Sequence, residues 1–376
     1  MYKAIAVFLL PFLLTGCWSG YEVQNINYIT AIGLDYEEEK YVIYAQLLDF
    51  STVGKLELQQ KAEEPPVWLG RGEGNTLTEA ANDLYTTSQQ RLNWGQISAI
   101  LFSERLLKEE RVEEVLELIN RYREIRYICW VFSTRESLDK LLIATPFFRL
   151  SPKASILHNP EQHYRQRSLV APVRLQNFVM DSNEKAKIGY IPELSVRDDQ
   201  WKENHRAQEL LKYSGIQLYD HSHYYGRMGL DEIQGLPWLN RHTVRLPLDL
   251  FDGDRLVAVV VAEEPEYDIK PTVQHGKAYF DISVKVKVGV NELHADVTER
   301  ELRRMAQQKI EDQIRETYQL ALEKNADIYN LGESLYRKNP NVWKRVASGN
   351  MLSKDSLRTV HVDAQLVYAG RYKFSP

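Results

Sequence analysis

The chain is poor in cysteine, with only Cys17 and Cys129 among 376 residues. That excludes a disulfide framework and a cysteine-based zinc site. It lacks an excess of positive charge: 47 Lys and Arg stand against 52 Asp and Glu, for a formal net charge of −5 and a pI near 6.1. No basic footprint for nucleic acid is therefore expected. It has no apolar run long enough for a permanent membrane span; the longest N-terminal run, Ala4 to Leu14, covers eleven residues, or ~17 Å as a helix against ~30 Å of hydrocarbon. Gly-x-Ser-x-Gly and His-Glu-x-x-His are both absent, which removes the usual hydrolase elbow and zincin signatures. What is present is ordinary globular composition, 44% apolar and 26% charged, in a chain long enough for two or three domains at ~150 residues each.

The first cysteine is the most informative residue. Lys3, the apolar run and then Thr15-Gly16-Cys17 give a positive n-region, a short h-region and small residues at its end, the layout of a secretory signal peptide. Leu14-Thr15-Gly16-Cys17 resembles the bacterial lipobox, in which the Cys thiol receives diacylglyceryl and the chain is cut before it. The alternative is an ordinary signal peptide with a chance cysteine at its end, or an uncleaved anchor. Charge, run length, small residue and Cys all fall in register, which favours lipidation of Cys17 and a mature chain starting there.

Along the mature chain, Ile29–Leu34 and Tyr41–Leu48 read as a hairpin around a charged loop. Thr76-Leu-Thr-Glu79 is a capping-box pattern opening a helix to about Gln90. Ile97–Phe102 reads as a strand, Glu104–Arg121 as one charged amphipathic helix, and Arg126–Phe132 as a second buried strand. From Pro146 to about Lys212 periodicity weakens, and a boundary is expected between Val196 and Lys212. Beyond it, Lys277–Val290 alternates apolar and polar residues as a strand with one wet face. Thr298-Glu-Arg-Glu301 opens a helix expected to run to about Leu331, ~50 Å long. Val360–Leu366 alternates again as a returning strand. The fold class expected is α+β: a signal peptide over 1–16, an N-terminal mixed α/β unit over 17–200, and a C-terminal unit over 201–376, divisible near 255, with an antiparallel sheet packed on the long helix.

Candidate chemistry is sparse. Gly70-Arg-Gly-Glu-Gly74 precedes a helix N-terminus but lacks the Lys-Ser/Thr of a phosphate loop, and Glu73 would repel an anion. It reads as a tight connection. His221 and His223 stand two apart, but a metal site wants third and fourth ligands, and polar turn residues explain them as well. Cys129 sits in the apolar run Ile128–Phe132, the setting of a buried inert thiol. No metal, cofactor or catalytic residue is assigned.

Several segments together carry a family resemblance: Leu14–Trp18; Ile29-Thr-Ala-Ile-Gly-Leu-Asp35 followed by the Tyr41 strand; Arg91–Glu104; Asn120–Arg126; and, most specifically, Asp327-Ile-Tyr-Asn-Leu-Gly332, Lys338-Asn-Pro340, Trp343 and the strand ending Tyr368-Ala-Gly370. In that order, behind a lipobox, the chain resembles the Ger(x)C family, the lipoprotein C subunits of spore germinant receptors. It departs from the family pattern at Ser19–Tyr21 and Tyr122-Arg123. The resemblance implies a non-enzymatic accessory subunit at the outer face of the spore inner membrane, lipid-anchored and acting with the receptor's A and B membrane subunits, with no nucleic-acid partner. The rivals are a solute-binding lipoprotein of a transport system, against which the dissimilar halves argue, and a surface hydrolase, for which no nucleophile–base pair presents itself.

Overall fold

A computed structural model of the chain describes residues 26–48, 66–122, 124–220, 223–347 and 351–368. The expected hairpin is present: β1 (Ile26–Glu37) and β2 (Lys40–Leu48) pair antiparallel, with Glu37 opposite Lys40. β3 (Val67–Gly74) adds to β2 at the sheet edge. Its glycines, expected to form a tight connection, lie within this strand and serve packing. A Cβ at Gly72 would stand 2.2 Å from the Ala80 carbonyl oxygen of α1 (Leu77–Thr87), so only glycine lets the helix lie this close to the strand. α1 starts at the expected cap, with Glu79 N donating to Thr76 Oγ1 at 3.1 Å.

The chain continues through β4 (Arg91–Asn93), β5 (Ala99–Ser103), α2 (Glu104–Lys108), α3 (Val112–Arg121), β6 (Trp130–Thr134) and α4 (Leu138–Ile143). The single helix expected over 104–121 is two, separated where Glu110 takes a φ of 54°. The aperiodic stretch holds short elements: α5 (Pro160–Gln166), β7 (Val173–Arg174), α6 (Leu175–Asn183) and β8 (Gly189–Arg197). The polar residues near the expected boundary form a small hairpin, β9 (Lys202–Glu203) with β10 (Arg206–Ala207). Past it the chain returns to the first sheet as β11 (Leu210–Asp220) and β12 (His223–Gly229).

These strands make one ten-stranded sheet in the order β12-β11-β8-β6-β5-β1-β2-β3, with β4 beside β1 and β7 beside β6. Its centre is parallel (β1, β5, β6, β8) and its flanks antiparallel. The central strands are buried on both faces, which is why β5 and β6 read as continuous apolar runs rather than alternating ones. Ile100, Phe102 and Val131 face a core built with α1, α2, α3 and α6. Leu101, Phe132 and Leu194 face a second core.

The second core is shared with the C-terminal unit. There, β13 (Arg245–Asp252), β14 (Arg255–Gln274) and β15 (Lys277–Leu293) form an antiparallel meander. β16 (Leu357–Tyr368) joins β15 in parallel, so the returning strand departs from the purely antiparallel expectation. A parallel neighbour needs a crossover, supplied by α7 (Glu299–Glu323), α8 (Leu331–Lys338) and α9 (Pro340–Ala347). The capping box of α7 is intact, with Thr298 and Glu301 bonded reciprocally. Leu302, Ala306, Ile310, Ile314 and Tyr318 of α7 pack in one cluster with Phe280, Ile282, Val284, Val360 and Val362 of the sheet; such side chains stabilise by ~1.5–3 kcal/mol each when fully buried. α7 stops at Glu323 rather than near Leu331, because Asn325 turns left-handed at a φ of 57°. Among the described residues no helix is long and apolar enough to cross a membrane.

Candidate functional site

The stretch Asp327–Gly332 follows the end of α7 and runs into the first turn of α8, and it forms the joint between the two units. Asp327 accepts from Leu331 N at 2.9 Å and from Gly332 N at 2.7 Å, which starts α8. Enclosure there pushes its carboxyl up to about 6, against the pull of those two amides. Asn330 sits left-handed, φ 53° and ψ 41°, a conformation asparagine tolerates better than most residues. From there its Oδ1 accepts from Ile188 N at 2.8 Å, reaching the start of β8 in the other unit. Tyr329 donates its hydroxyl to the Ile314 carbonyl at 3.0 Å.

A second seam lies alongside. The segment after β12 is sewn to α7: Gly235 N donates to Thr317 Oγ1 at 3.0 Å, and Thr317 Oγ1 donates to Glu232 O at 2.8 Å. A Cβ on Gly235 would stand 2.4 Å from the Gln313 carbonyl oxygen, so this crossing needs glycine. Trp238, fully buried, donates its indole N–H to Gln313 Oε1 at 3.0 Å.

Between the units a cleft of about 740 Å³ opens beside the joint, lined in part by Lys185, Lys187, Tyr225, Trp343 and Lys354. Lys187 bridges Asp181 at 2.8 Å and approaches Glu333 at 3.9 Å. Clefts at domain junctions are a common setting for ligand binding.

Two buried acid networks stiffen the first unit. Asp35 accepts from Ser103 Oγ and from the Arg105 guanidinium, tying the end of β1 to the start of α2. Glu193, 1% exposed, accepts from Arg227 Nε at 2.9 and 3.0 Å, Ser214 Oγ at 2.7 Å and Gln217 Nε2 at 2.6 Å. Its donors close around the carboxylate as a buried ion needs. Nothing in the sequence marked Glu193, because its partners come from three places in the chain.

The residues singled out by sequence are scattered. Cys17 and His221 lie outside the described residues. His223 pairs its Nδ1 with Glu110 Oε1 at 2.9 Å and stacks edge-on against Tyr225 at 4.7 Å. Among the described residues no group of three or more His, Cys, Asp or Glu side chains is disposed to hold a metal ion. Cys129 is buried, and desolvation pushes its thiol up to about 12, the state of an inert thiol at neutral pH. Tyr225 donates to Asp220 Oδ2 at 2.7 Å.

Both units match known proteins. Residues 20–196 match the spore germination protein N-terminal domain, and residues 214–370 match the spore germination B3/GerAC-like C-terminal domain. The two together span nearly the whole chain, in order, and the chain belongs to this spore germination family. Among its relatives is spore germination protein KC of Bacillus subtilis (strain 168), 23% identical over 363 residues, covering 91% of this chain and 89% of the relative. Spore germination protein B3 of the same organism is 20% identical over 289 residues, covering 76% and 73%. The crystal structure of the GerBC protein shares the fold, with a TM-score of 0.52 at 17% identity, covering 90% of this chain and 96% of that one. Membership gives the chain a role in spore germination; the descriptions and names name no reaction.

Proposed function

We propose that the chain is the lipid-anchored, non-enzymatic C subunit of a nutrient germinant receptor. It is held at the outer face of the spore inner membrane by diacylglyceryl on Cys17 and acts with the receptor's A and B membrane subunits. The observation that carries this reading is the pair of family matches in order, 20–196 and 214–370, following Leu14-Thr15-Gly16-Cys17. Two acyl chains at ~0.8 kcal/mol per buried CH₂ make a stable anchor where one is marginal. Tethering concentrates the subunit beside its partners, so weak contacts suffice. The closed networks around Asp35 and Glu193 support a scaffold role, since their carboxylates are engaged by structural donors.

The test has two steps. Deleting the gene should abolish or slow germination towards one nutrient set while leaving receptor-independent triggers intact. Cys17→Ala should then remove fatty-acid label, release the protein from membranes or trap its precursor, and leave germination partly defective. Normal nutrient responses in a deletion strain with no second copy would sink the receptor reading. A second reading, a solute-binding lipoprotein, draws on the inter-unit cleft of about 740 Å³; it requires the deletion strain to lose uptake of a small molecule instead.

A further inference from the structure

We infer that the end of the ten-stranded sheet where β1 begins rests against the phospholipid surface, with Trp68 in the headgroup layer. The inference rests on the Cys17 anchor proposed above. Eight residues lie between Cys17 and Ile26, and the nine Cα-to-Cα steps reach about 30 Å when fully extended. Ile26 is therefore confined to that distance from the anchoring lipid.

The surface at this end suits a bilayer. The first residues of β1, the last of β2, the first of β3 and the C-terminal end of α1 surround a groove of about 980 Å³. Ile26, Leu47, Leu48 and Leu69 give it an apolar floor. Trp68 stands at its edge, 67% exposed. Its rim from the end of α1 is Thr87-Ser-Gln-Gln90, polar and uncharged. Arg71 is the one charged side chain among the described lining residues, and its guanidinium is paired with Glu73 at 2.9 Å and lies 3.8 Å from Glu37. Among the described residues, a rim whose single cation is already paired presents no repulsion to anionic headgroups, and tryptophan partitions to that layer because its ring is apolar and its N–H polar.

The molecule carries a competing surface, which makes the inference sharp. Phe147, Phe148 and Trp201 form an exposed aromatic cluster, with Phe148 91% and Trp201 53% exposed and the Phe147 and Trp201 rings 5.1 Å apart. Trp201 follows β8, whose C-terminal end lies opposite the end where β1 begins. Leu34, Phe102, Ser133 and Glu193 are level across the sheet, and Trp201 follows the end of β8 at Arg197. Trp68 is level with Leu47 and Ile29. Trp68 and Arg197, four residues before Trp201, are thus separated by roughly 30 Å along the strand direction. With the tether at the β1 end, the groove meets the membrane and the aromatic cluster points away from it.

The experiment uses the full lipidated protein, purified from membranes and reconstituted in phosphatidylglycerol–phosphatidylethanolamine vesicles with and without brominated acyl chains. Trp18→Phe is the common background, because the indole beside the anchor would dominate quenching. Adding Trp68→Phe is expected to lower the quenchable share of tryptophan fluorescence at least two-fold, while adding Trp201→Phe leaves it unchanged. Both are surface substitutions that keep an aromatic ring, and near-ultraviolet circular dichroism checks the fold. Quenching that responds to Trp201 instead, or to neither, overturns the inference; the second result also covers a groove filled by residues 49–65 of the chain itself. A chain of unmodified mass that fails to float with vesicles overturns the anchor reading, and this orientation with it.

Discussion

Acidification should destabilise this protein through one histidine. His158 is buried; its Nδ1 lies 2.6 Å from Ser98 Oγ and its Nε2 lies 3.0 Å from Gln46 Oε1. Gln46 Nε2 donates to the Leu142 carbonyl at 2.6 Å, which fixes Oε1 as the acceptor facing the ring. The neutral tautomer protonated at Nε2 therefore fits, with Nδ1 facing the Ser98 hydroxyl, whose one proton is shared between the ring and the Thr30 carbonyl 3.1 Å away. Burial, aided by the positive Lys153, pushes the imidazole down to about 3. Its folded value lies below the unfolded one near 6.5, so its stabilising contribution is complete above pH 6.5. It is lost as pH falls towards 3, because only the unfolded chain takes up the proton. Between pH 7 and pH 4 the loss is about 3 kcal/mol, at ~1.36 kcal/mol per pH unit below 6.5, a large part of a typical ~5–15 kcal/mol total. Asp327 works in the opposite sense: its folded value is raised to about 6, so its contribution is complete below its unfolded value and lost as pH rises through 6. The assay must therefore difference out everything else. Urea unfolding of residues 18–376 and of the same chain with His158→Gln, at pH 7, 6, 5 and 4, gives the stability difference at each pH. That difference should shift by about 3 kcal/mol against the wild type as pH falls from 7 to 4. A difference constant to within roughly 0.5 kcal/mol would refute the neutral buried imidazole.

Asn330→Ala removes the bond to Ile188 N and puts a less tolerant residue in a left-handed turn; a loss of about 1–2 kcal/mol is expected, with faster proteolysis around residues 184–188 as the readout specific to the joint. Glu193→Ala strips the carboxylate from Arg227, Ser214 and Gln217; chemical denaturation should show about 3–5 kcal/mol lost, the scale for orphaning a buried ionic partner.

Much of the fold was legible because it is local. The β1–β2 hairpin and both capped helices are written in neighbouring residues: Glu37 and Lys40 flank the turn, and Thr76 and Thr298 make the cap bonds their spacing promised. The errors arose where tertiary contacts decide. α7 stops at Glu323 because Asn325 turns left-handed, which helical periodicity does not register. Gly70–Gly74 forms a strand because α1 lies against Gly72, a reason located in another element. The direction of β16 is set by a crossover, and alternation is the same for parallel and antiparallel neighbours. At the candidate site, Asp327–Gly332 stood out as a family stretch, yet its contact with Ile188 spans 142 positions in sequence. Glu193 and His158 carried no signal, since an isolated Glu or His reads as surface until its partners are known.

The parallel pairing of β15 with β16 has a consequence for how the chain is made. Residues 294–356 must emerge and fold into the crossover before β16 can dock. Until then the nascent chain presents β15, seventeen residues long, as an open edge with a row of unpaired amides. Such an edge is a template for aggregation with another chain. Its inward residues Ile282, Val284, Val286 and Val288 are all buried in the finished protein and are sticky before closure. Lys285 and Lys287 are exposed on the opposite face; Lys287 is paired with Glu264 of β14 at 2.8 Å, so Lys285 is the positive charge beside a strand that tries to add there, and like charges directly opposite disfavour a second copy of β15. The waiting strand is thus guarded by electrostatic repulsion, in advance of the cover that β16 later provides.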